Sequence, residues 1–319
     1  MDTNGGAAAD TASARTARAG AILVVGAEGQ VARALRERAA DAPVAVVARG
    51  RPALDLAAPA TILAALDEVR PAAVVNAAAY TAVDRAESEE DAAFAINAGG
   101  VGVLARAAAE RGIPLVHLST DYVFDGTKDG PYVETDATGP AGAYGRTKLA
   151  GEEAVKAAGG PALVCRTAWV YSPFGHNFVK TMLRVAATRD TLRVVDDQHG
   201  NPTSALDIAD AILALVARAG ADGWPSGEDV VLHLAGTGET TWCRLARKVF
   251  EVSGMLGGPS AAVEAIATSE YPTPARRPAN SRLDTTRLRH RYGIALPRWE
   301  ESVEAVVRRL LAEGFPASA

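Results

Sequence analysis

The chain has little cysteine, with two in 319 residues. Cys165 lies in an apolar run and Cys243 follows Trp242, so neither has the spacing of a metal ligand. We predict that both are buried, small hydrophobic side chains in a protein of a reducing compartment.

An excess of positive charge is also missing, because the formal net charge is -5 and the pI is near 5.6. This balance predicts neither a nucleic-acid partner nor a membrane-surface partner, since both need a concentrated basic patch. No continuous apolar run approaches the ~18 to 20 residues that span a bilayer. Residues 1–20 have no apolar h-region, so we expect a disordered extension rather than a secretory signal, and a cytoplasmic protein.

Short apolar runs alternate with helical patterns along the first half of the chain. Strands are predicted at 21–25, 44–47, 73–75, 113–118 and 162–167, and helices at 30–40, 61–69 and 84–111, the last with a break near Gly99 and Gly100. This alternation predicts an α/β fold with a doubly wound, Rossmann-type parallel sheet.

The pattern loosens after residue 170, where loops rich in proline and glycine separate shorter elements. We predict a Rossmann domain over 21–170 and a smaller C-terminal substrate lobe formed mainly by 171–319. The helical and strand patterns within 205–235 are expected to return to the main sheet.

A glycine-rich turn, Gly26-Ala-Glu-Gly29-Gln-Val-Ala32, joins the first predicted strand to the first helix. Glycines at this place permit a tight turn and let a pyrophosphate approach the helix N-terminus. Its position at the first strand of an alternating chain predicts a dinucleotide site that includes Gly26 and Gly29.

The second predicted strand ends in Val46-Val-Ala-Arg49-Gly-Arg51, and no acidic residue follows until Asp55. An acid here would bind the ribose diol of NAD, whereas an arginine can pair with a 2′-phosphate. We therefore expect NADPH as the cofactor, bound in part by Arg49. NADH is the alternative, in which both arginines are ordinary loop charges.

Tyr144 and Lys148 stand four residues apart at the start of a predicted helix, where they can share one face. A nearby ammonium lowers the pKa of a tyrosine from its usual value near ~10 and so favours proton exchange with a substrate oxygen. Thr120 follows the fourth strand, at the edge where open α/β sheets bind ligands, and can complete a catalytic trio. The alternative is a half-exposed tyrosine beside a solvated lysine, with Thr120 capping a turn.

Six longer segments carry a resemblance that covers nearly all of residues 21–315. They are Val75-Asn-Ala-Ala-Ala-Tyr-Thr-Ala-Val-Asp84, Ser119-Thr-Asp-Tyr-Val-Phe124, Tyr144-Gly-Arg-Thr-Lys-Leu-Ala-Gly-Glu152, Arg166-Thr-Ala-Trp-Val-Tyr171, Asn177-Phe-Val-Lys-Thr-Met182 and Arg276-Arg-Pro-Ala-Asn-Ser-Arg-Leu283. In these segments the chain resembles the extended short-chain dehydrogenase/reductase family. The resemblance implies hydride transfer from NADPH to C4 of a dTDP-linked sugar, dTDP-4-dehydro-L-rhamnose.

The resemblance also implies roles for individual residues. Those expected along the cofactor, from its phosphates to the adenine and then the nicotinamide, are Gly29, Gln30 and Val31, then Asp55 and Leu56, then Ala79, Tyr80 and Thr81. Tyr144 would donate the proton, and Lys148 would bind the nicotinamide ribose and lower the pKa of Tyr144. Those expected to contact the substrate are Thr120, which would polarise the 4-keto oxygen, Asp121, Tyr144, Trp169, Asn177 and Arg282. Trp169 as an ordinary core residue is the alternative.

The chain departs from the family pattern near the tyrosine and at a metal site. Gly142 stands where relatives commonly have Asn. Some relatives hold Mg2+ with acidic residues at a dimer contact, but in this chain Ala34 and Leu206 occupy two of those places. Glu300 is the acidic residue that remains, and it could not hold a metal by itself. We therefore expect no metal, and a monomer and a homodimer both remain open. Two other functions also stay open: a sibling nucleotide-sugar 4-ketoreductase, and a non-catalytic NADP-binding regulatory subunit.

Overall fold

The computed structural model describes residues 20–42 and 44–315. The extension predicted for residues 1–20 lies outside the described residues, apart from Gly20. The strands, in chain order, are β1 Ile22–Val25, β2 Val46–Arg49, β3 Ala73–Asn76, β4 Leu115–Thr120, β5 Ala162–Thr167, β6 Val170–Tyr171, β7 Thr191–Val195, β8 His199–Gly200, β9 Thr203–Ser204, β10 Val231–His233, β11 Thr240–Thr241, β12 Ala262–Ile266 and β13 Asn280–Ser281.

Helices cover both faces of the main sheet and fill the C-terminal part. The α-helices are α1 Gln30–Arg38, α2 Pro59–Val69, α3 Val83–Ala86, α4 Glu90–Phe94, α5 Val101–Glu110, α6 Ala143–Ala157, α7 Phe178–Ala186, α8 Ala205–Asp222, α9 Trp242–Met255, α10 Thr286–Tyr292 and α11 Trp299–Ala312. A π-helix, Ala95–Gly100, joins α4 to α5, and short 3-10 turns cover Ala39–Asp41, Asp121–Val123, Gly227–Val230 and Thr268–Glu270.

The main sheet is parallel, with the strand order β10-β5-β4-β3-β1-β2. The strand order reverses between β1 and β3, which is the place where doubly wound sheets bind ligands. The predicted α/β fold is therefore confirmed, and the five strands expected in the first half are found within two residues of their predicted bounds.

The apolar strands are buried on both faces, because successive side chains point to opposite sides of the sheet. In β1, Ile22 and Val24 join a core with α1, α8 and α11, whereas Leu23 and Val25 join a second core with α2 and α5. The first core continues through α7 and α9, so the C-terminal elements pack against the sheet without a break. Both cysteines are buried and unbridged, as predicted.

The helix predicted over 84–111 is divided in the structure into α3, which ends at Ala86, and the longer helical run Glu90–Glu110. By length and composition it is apolar enough to cross a membrane, but 56% of its apolar window is buried inside the fold, and a core helix satisfies the same criteria. Its predicted break near Gly99 and Gly100 is the π-helix. A Cβ at Gly100 would lie 2.1 Å from the carbonyl oxygen of Leu56, so glycine lets the helix pass close to that loop.

Candidate active site

Tyr144 and Lys148 lie on consecutive turns of α6, and the helix is docked closely against the end of β4. Lys148 is 2% exposed, and its Nζ donates to the carbonyl oxygen of Leu118 at 2.6 Å. A Cβ at Gly145 would lie 2.2 Å from the carbonyl oxygen of Tyr122, so glycine permits the close approach of the helix to the turn after β4. The Tyr144 phenol lies within hydrogen-bonding reach of the Thr120 hydroxyl, and Lys148 lies one turn further along α6.

Burial raises the pKa of the Tyr144 phenol well above its usual value, and the charge of Asp121 acts in the same direction. The Thr120 hydroxyl has the opposite, smaller effect. The sequence-based expectation was a pKa lowered by Lys148. The structure gives the opposite direction, because desolvation of the phenolate is the largest influence. Tyr144 is therefore held protonated at neutral pH.

Burial lowers the pKa of Lys148 to about 8, and the nearby Glu152 carboxylate partly offsets this effect. Glu152 is itself held by a buried pair with Arg166, 2.6 Å between Oε2 and the guanidinium, and accepts from the Ser119 hydroxyl at 2.5 Å. Lys148 thus loses its proton at a lower pH than an ordinary lysine.

Thr120 and Asp121 form a short polar pair at the end of β4. Thr120 Oγ1 donates to Asp121 Oδ1 at 2.9 Å and accepts from the main-chain N–H of Tyr122 at 3.2 Å. A hydroxyl has one hydrogen, so the predicted polarisation of a keto oxygen by Thr120 requires that hydrogen to leave Asp121. Burial raises the pKa of Asp121 to about 6, against hydrogen bonds from Ser281 and Thr120.

A cleft of about 770 Å³ lies at the switch point between β1 and β3, and Tyr80, on its wall, packs in the same cluster as Tyr144. Seven of the predicted cofactor residues line it: Gly26, Gly29, Asp55, Leu56, Ala79, Tyr80 and Thr81. Gly26 has φ 102°, which favours glycine, and Gly29 precedes α1 without a side-chain cap. The first N–H groups of α1 thus remain for an anion, and the cleft fits the pyrophosphate of a dinucleotide.

Val31 and Gln30, two of the residues predicted to lie along the cofactor phosphates, have side chains that are engaged within the protein. Val31 is buried in the core. The Gln30 side chain accepts from Ser172 Oγ at 2.7 Å and from Asn177 Nδ2 at 3.0 Å, so it ties α1 to the loop before α7. Any contact of these two residues with a phosphate would use the main chain.

Sequence reasoning missed Asn97, which lies on the π-helix. Its side-chain amide accepts from the Tyr80 N–H at 2.8 Å and donates to the Tyr80 carbonyl at 3.1 Å and to Thr147 Oγ1 at 3.1 Å. One buried side chain thus joins the loop at the cleft to the helix that carries Tyr144 and Lys148. The only sequence signal that pointed to Asn97 was the predicted helix break near Gly99 and Gly100.

The chain is similar in sequence to proteins of one known family. The family described as "RmlD substrate binding domain" matches residues 20–312. A dTDP-4-dehydrorhamnose reductase from Sinorhizobium fredii is 49% identical over 298 residues, which cover 93% of this chain and 99% of that relative. The chain belongs to the dTDP-4-dehydrorhamnose reductase family.

Solved structures of the family have the same fold. The dTDP-4-dehydrorhamnose reductase of Clostridium acetobutylicum superposes with a TM-score of 0.84 at 36% identity and covers 91% of this chain and 99% of its own. The reductase of Bacillus anthracis, solved in complex with NADP, has the same TM-score and coverage at 32% identity.

Trp169, which the family resemblance places against the substrate, belongs to an aromatic stack. Its indole lies on that of Trp242, with centroids 3.6 Å apart, and the Phe178 ring lies 4.7 Å from Trp242. Trp242 was not predicted as a site residue, because it is 73 positions away and follows no motif.

Asn177 and Arg282 are engaged within the protein. Asn177 Oδ1 caps α7 by accepting from the Lys180 N–H at 3.1 Å. Arg282 donates to Glu239 at 3.1 Å and to the side chain of Asn280 at 2.8 Å. Their contacts with a substrate remain predictions.

Arg49 is the last residue of β2, and its guanidinium lies 3.3 Å from Glu68, with 37% and 70% of the two side chains exposed. Arg51, which the sequence analysis treated as its companion, lines the cleft. Of these two arginines, Arg51 lines the cleft and Arg49 does not, so a contact of Arg49 with a 2′-phosphate stays a prediction.

Among the described residues there is no group of three or more His, Cys, Asp or Glu side chains that could hold a metal ion. Ala34 is fully buried and Leu206 is 9% exposed, both as parts of the core. The absence of a metal stays a prediction.

Proposed function

We propose that this protein reduces dTDP-4-dehydro-L-rhamnose to dTDP-L-rhamnose with NADPH, as a cytoplasmic enzyme. The observation that carries the proposal is the position of a half-buried, protonated Tyr144 beside Thr120 and Asp121, with Lys148 one turn along α6 and with Tyr80 of the dinucleotide cleft packed in the same cluster. The names of the relatives supply the substrate, and the NADP complex of the Bacillus anthracis reductase supports the cofactor.

NADPH, when bound, supplies the hydride for C4 of the sugar. The C4 oxygen then carries the negative charge, and the Tyr144 phenol donates its proton to that oxygen. A phenol held protonated by burial is suited to this role, because it keeps its proton until a more basic alkoxide forms beside it. Most of the remaining rate enhancement comes from orientation of the reacting groups.

The other residues of the site bind and position. Lys148 would hold the nicotinamide ribose, and its ammonium would stabilise the phenolate left on Tyr144. The first N–H groups of α1 would hold the pyrophosphate. Trp169, supported by Trp242, offers a flat apolar face to the sugar nucleotide.

The test is an assay of NADPH oxidation with dTDP-4-dehydro-L-rhamnose generated in situ, followed by identification of the product by NMR. We expect substrate-dependent oxidation and dTDP-L-rhamnose as the product. A different 6-deoxyhexose would support the sibling ketoreductase. NADPH binding without oxidation by any keto-sugar nucleotide would contradict the enzyme and support the regulatory subunit.

A further inference from the structure

The helix that carries Tyr144 is capped by a residue from another helix. Gly142 occupies the N-cap of α6 with an extended backbone, φ -130° and ψ 167°, and has no side chain to accept a hydrogen bond. The N–H of Ala143 donates instead to Glu87 Oε1 at 2.9 Å. Glu87 directly follows α3, 56 positions earlier in the chain.

Glycine at position 142 makes room for this carboxylate. A Cβ there would lie 2.7 Å from Glu87 Oε1, closer than side-chain atoms normally approach. A side chain at 142 would therefore require the Glu87 carboxylate, the end of a flexible side chain, to shift from this position. An anion at this place also interacts favourably with the positive end of the helix dipole.

The cap acts on the first turn of α6, one residue from Tyr144. The first N–H groups of a helix have no partner within the helix, and the loss of a cap allows the first turn to open. The opposite end of that turn is fixed by the approach of Gly145 to the Tyr122 carbonyl. The first turn of α6, which carries Tyr144, is thus held by one contact from the turn after β4 and one from Glu87.

The segment that carries Glu87 is itself anchored to both sides of the site. Tyr80 donates to Glu89 at 2.5 Å, beside the cofactor cleft. Asp84 pairs with Arg277 at 2.9 Å, in the loop that reaches over from the C-terminal part. Glu87 therefore links the helix that carries Tyr144 to two loops. One contains Tyr80, beside the cofactor cleft, and the other contains Arg277.

We propose that Glu87 is a positioning residue for Tyr144: it caps the first N–H of α6, where Gly142 offers no side chain, and so fixes the first turn of the helix. The inference rests on the proposed function for the role of Tyr144 as proton donor. The cap itself is independent of that function.

The test compares Glu87→Ala, Glu87→Gln, the double variant Glu87→Ala/Gly142→Asn, and Glu90→Ala as the matched control. Glu90 is a neighbouring acid whose carboxylate pairs with Arg146, with about half of each side chain exposed, so its loss removes a charge but not the cap. Two readouts are used: hydrogen exchange of the peptide that covers 143–148, and kcat and KM for both substrates.

We expect Glu87→Ala to raise the exchange rate of this segment roughly 2- to 30-fold, the range that follows from loss of a cap. Its kcat falls by a similar factor, whereas KM for NADPH changes less than about 2-fold. Glu87→Gln keeps an acceptor and retains more of kcat than Glu87→Ala. Asn at 142 restores both readouts in the double variant, because the space of the carboxylate is then vacant.

Wild-type exchange and kcat in Glu87→Ala would overturn the proposal, and so would a double variant that stays at the level of Glu87→Ala. An equal loss in Glu90→Ala would also overturn it, because charge rather than the cap would then be responsible. If the wild-type protein reduces no keto-sugar nucleotide, the proposed function fails, while the exchange data still decide whether Glu87 caps α6.

Discussion

The indole of Trp169 lies flat against that of Trp242, with the ring planes inclined by only 10°. Trp169 adopts φ 47°, in the left-handed region that non-glycine residues rarely occupy, so its ring is held in a position that the backbone alone would not favour. Trp242 and the neighbouring Gly200 determine where this ring can lie.

Gly200→Ala should displace the Trp169 ring, because the new Cβ would lie 2.5 Å from its Cε2 and 2.7 Å from its Nε1. We expect the free energy of unfolding to fall by about 1 to 3 kcal/mol. KM for the sugar nucleotide should rise several-fold while KM for NADPH stays unchanged. Thermal unfolding and steady-state kinetics measure these effects.

Gly220→Ala is the matched control, because a Cβ there meets no atom within 4 Å and the residue lies in α8. It should be neutral or stabilise by up to about 1 kcal/mol. An unchanged KM for the sugar nucleotide in Gly200→Ala would contradict the role of Trp169 in substrate binding.

Lys148 should make NADPH binding depend on pH. Its pKa of about 8 lies below the unfolded value near ~10.4, so the ammonium is lost as pH rises through about 8. The same shift means that this group adds to the free energy of unfolding as pH rises from about 8 to ~10.4, because the folded state favours the neutral amine.

We therefore expect the Kd for NADPH, measured by fluorescence titration, to rise as pH passes through about 8 in the wild type. Lys148→Met should bind more weakly at pH 7 and lose this dependence. Lys156→Met, which removes a lysine from the far end of the same helix, should keep it. A wild-type Kd that is flat across pH 8 would refute the contact of the Lys148 ammonium with the cofactor.

Arg49→Ala should raise KM for NADPH roughly 10-fold and leave KM for NADH within about 2-fold, because only NADPH carries the 2′-phosphate. Arg51→Ala is the informative comparison, since Arg51 lines the cleft whereas Arg49 pairs with Glu68. Equal effects of Arg49→Ala on both cofactors would refute its assignment. If Arg51→Ala alone raises KM for NADPH more than KM for NADH, Arg51 rather than Arg49 binds the 2′-phosphate.

Local sequence patterns predicted much of the fold and site. The apolar runs of β1, β3 and β5 predicted the parallel sheet, because strands buried on both faces need continuous apolar sequence. The glycines at 26 and 29 predicted the turn at the cleft, because backbone requirements are local.

Residues that act through distant contacts could not be predicted in this way. Asn97, Trp242 and Glu87 acquire their roles from partners 17 to 73 positions away, and no pattern of neighbouring residues marks them. The direction of the Tyr144 pKa was wrong for the same reason. The sequence contains the nearby lysine, but the burial that dominates arises only from tertiary packing.

The proposed mechanism has Tyr144 deliver the proton in a hydride transfer from NADPH to the keto sugar. The direct measurement is kcat for NADPH oxidation with dTDP-4-dehydro-L-rhamnose, compared between the wild type and Tyr144→Phe. We predict a fall in kcat of at least about 100-fold, with an unchanged Kd for NADPH and an unchanged unfolding temperature. Equal rates for the two proteins would show that Tyr144 is not the proton donor.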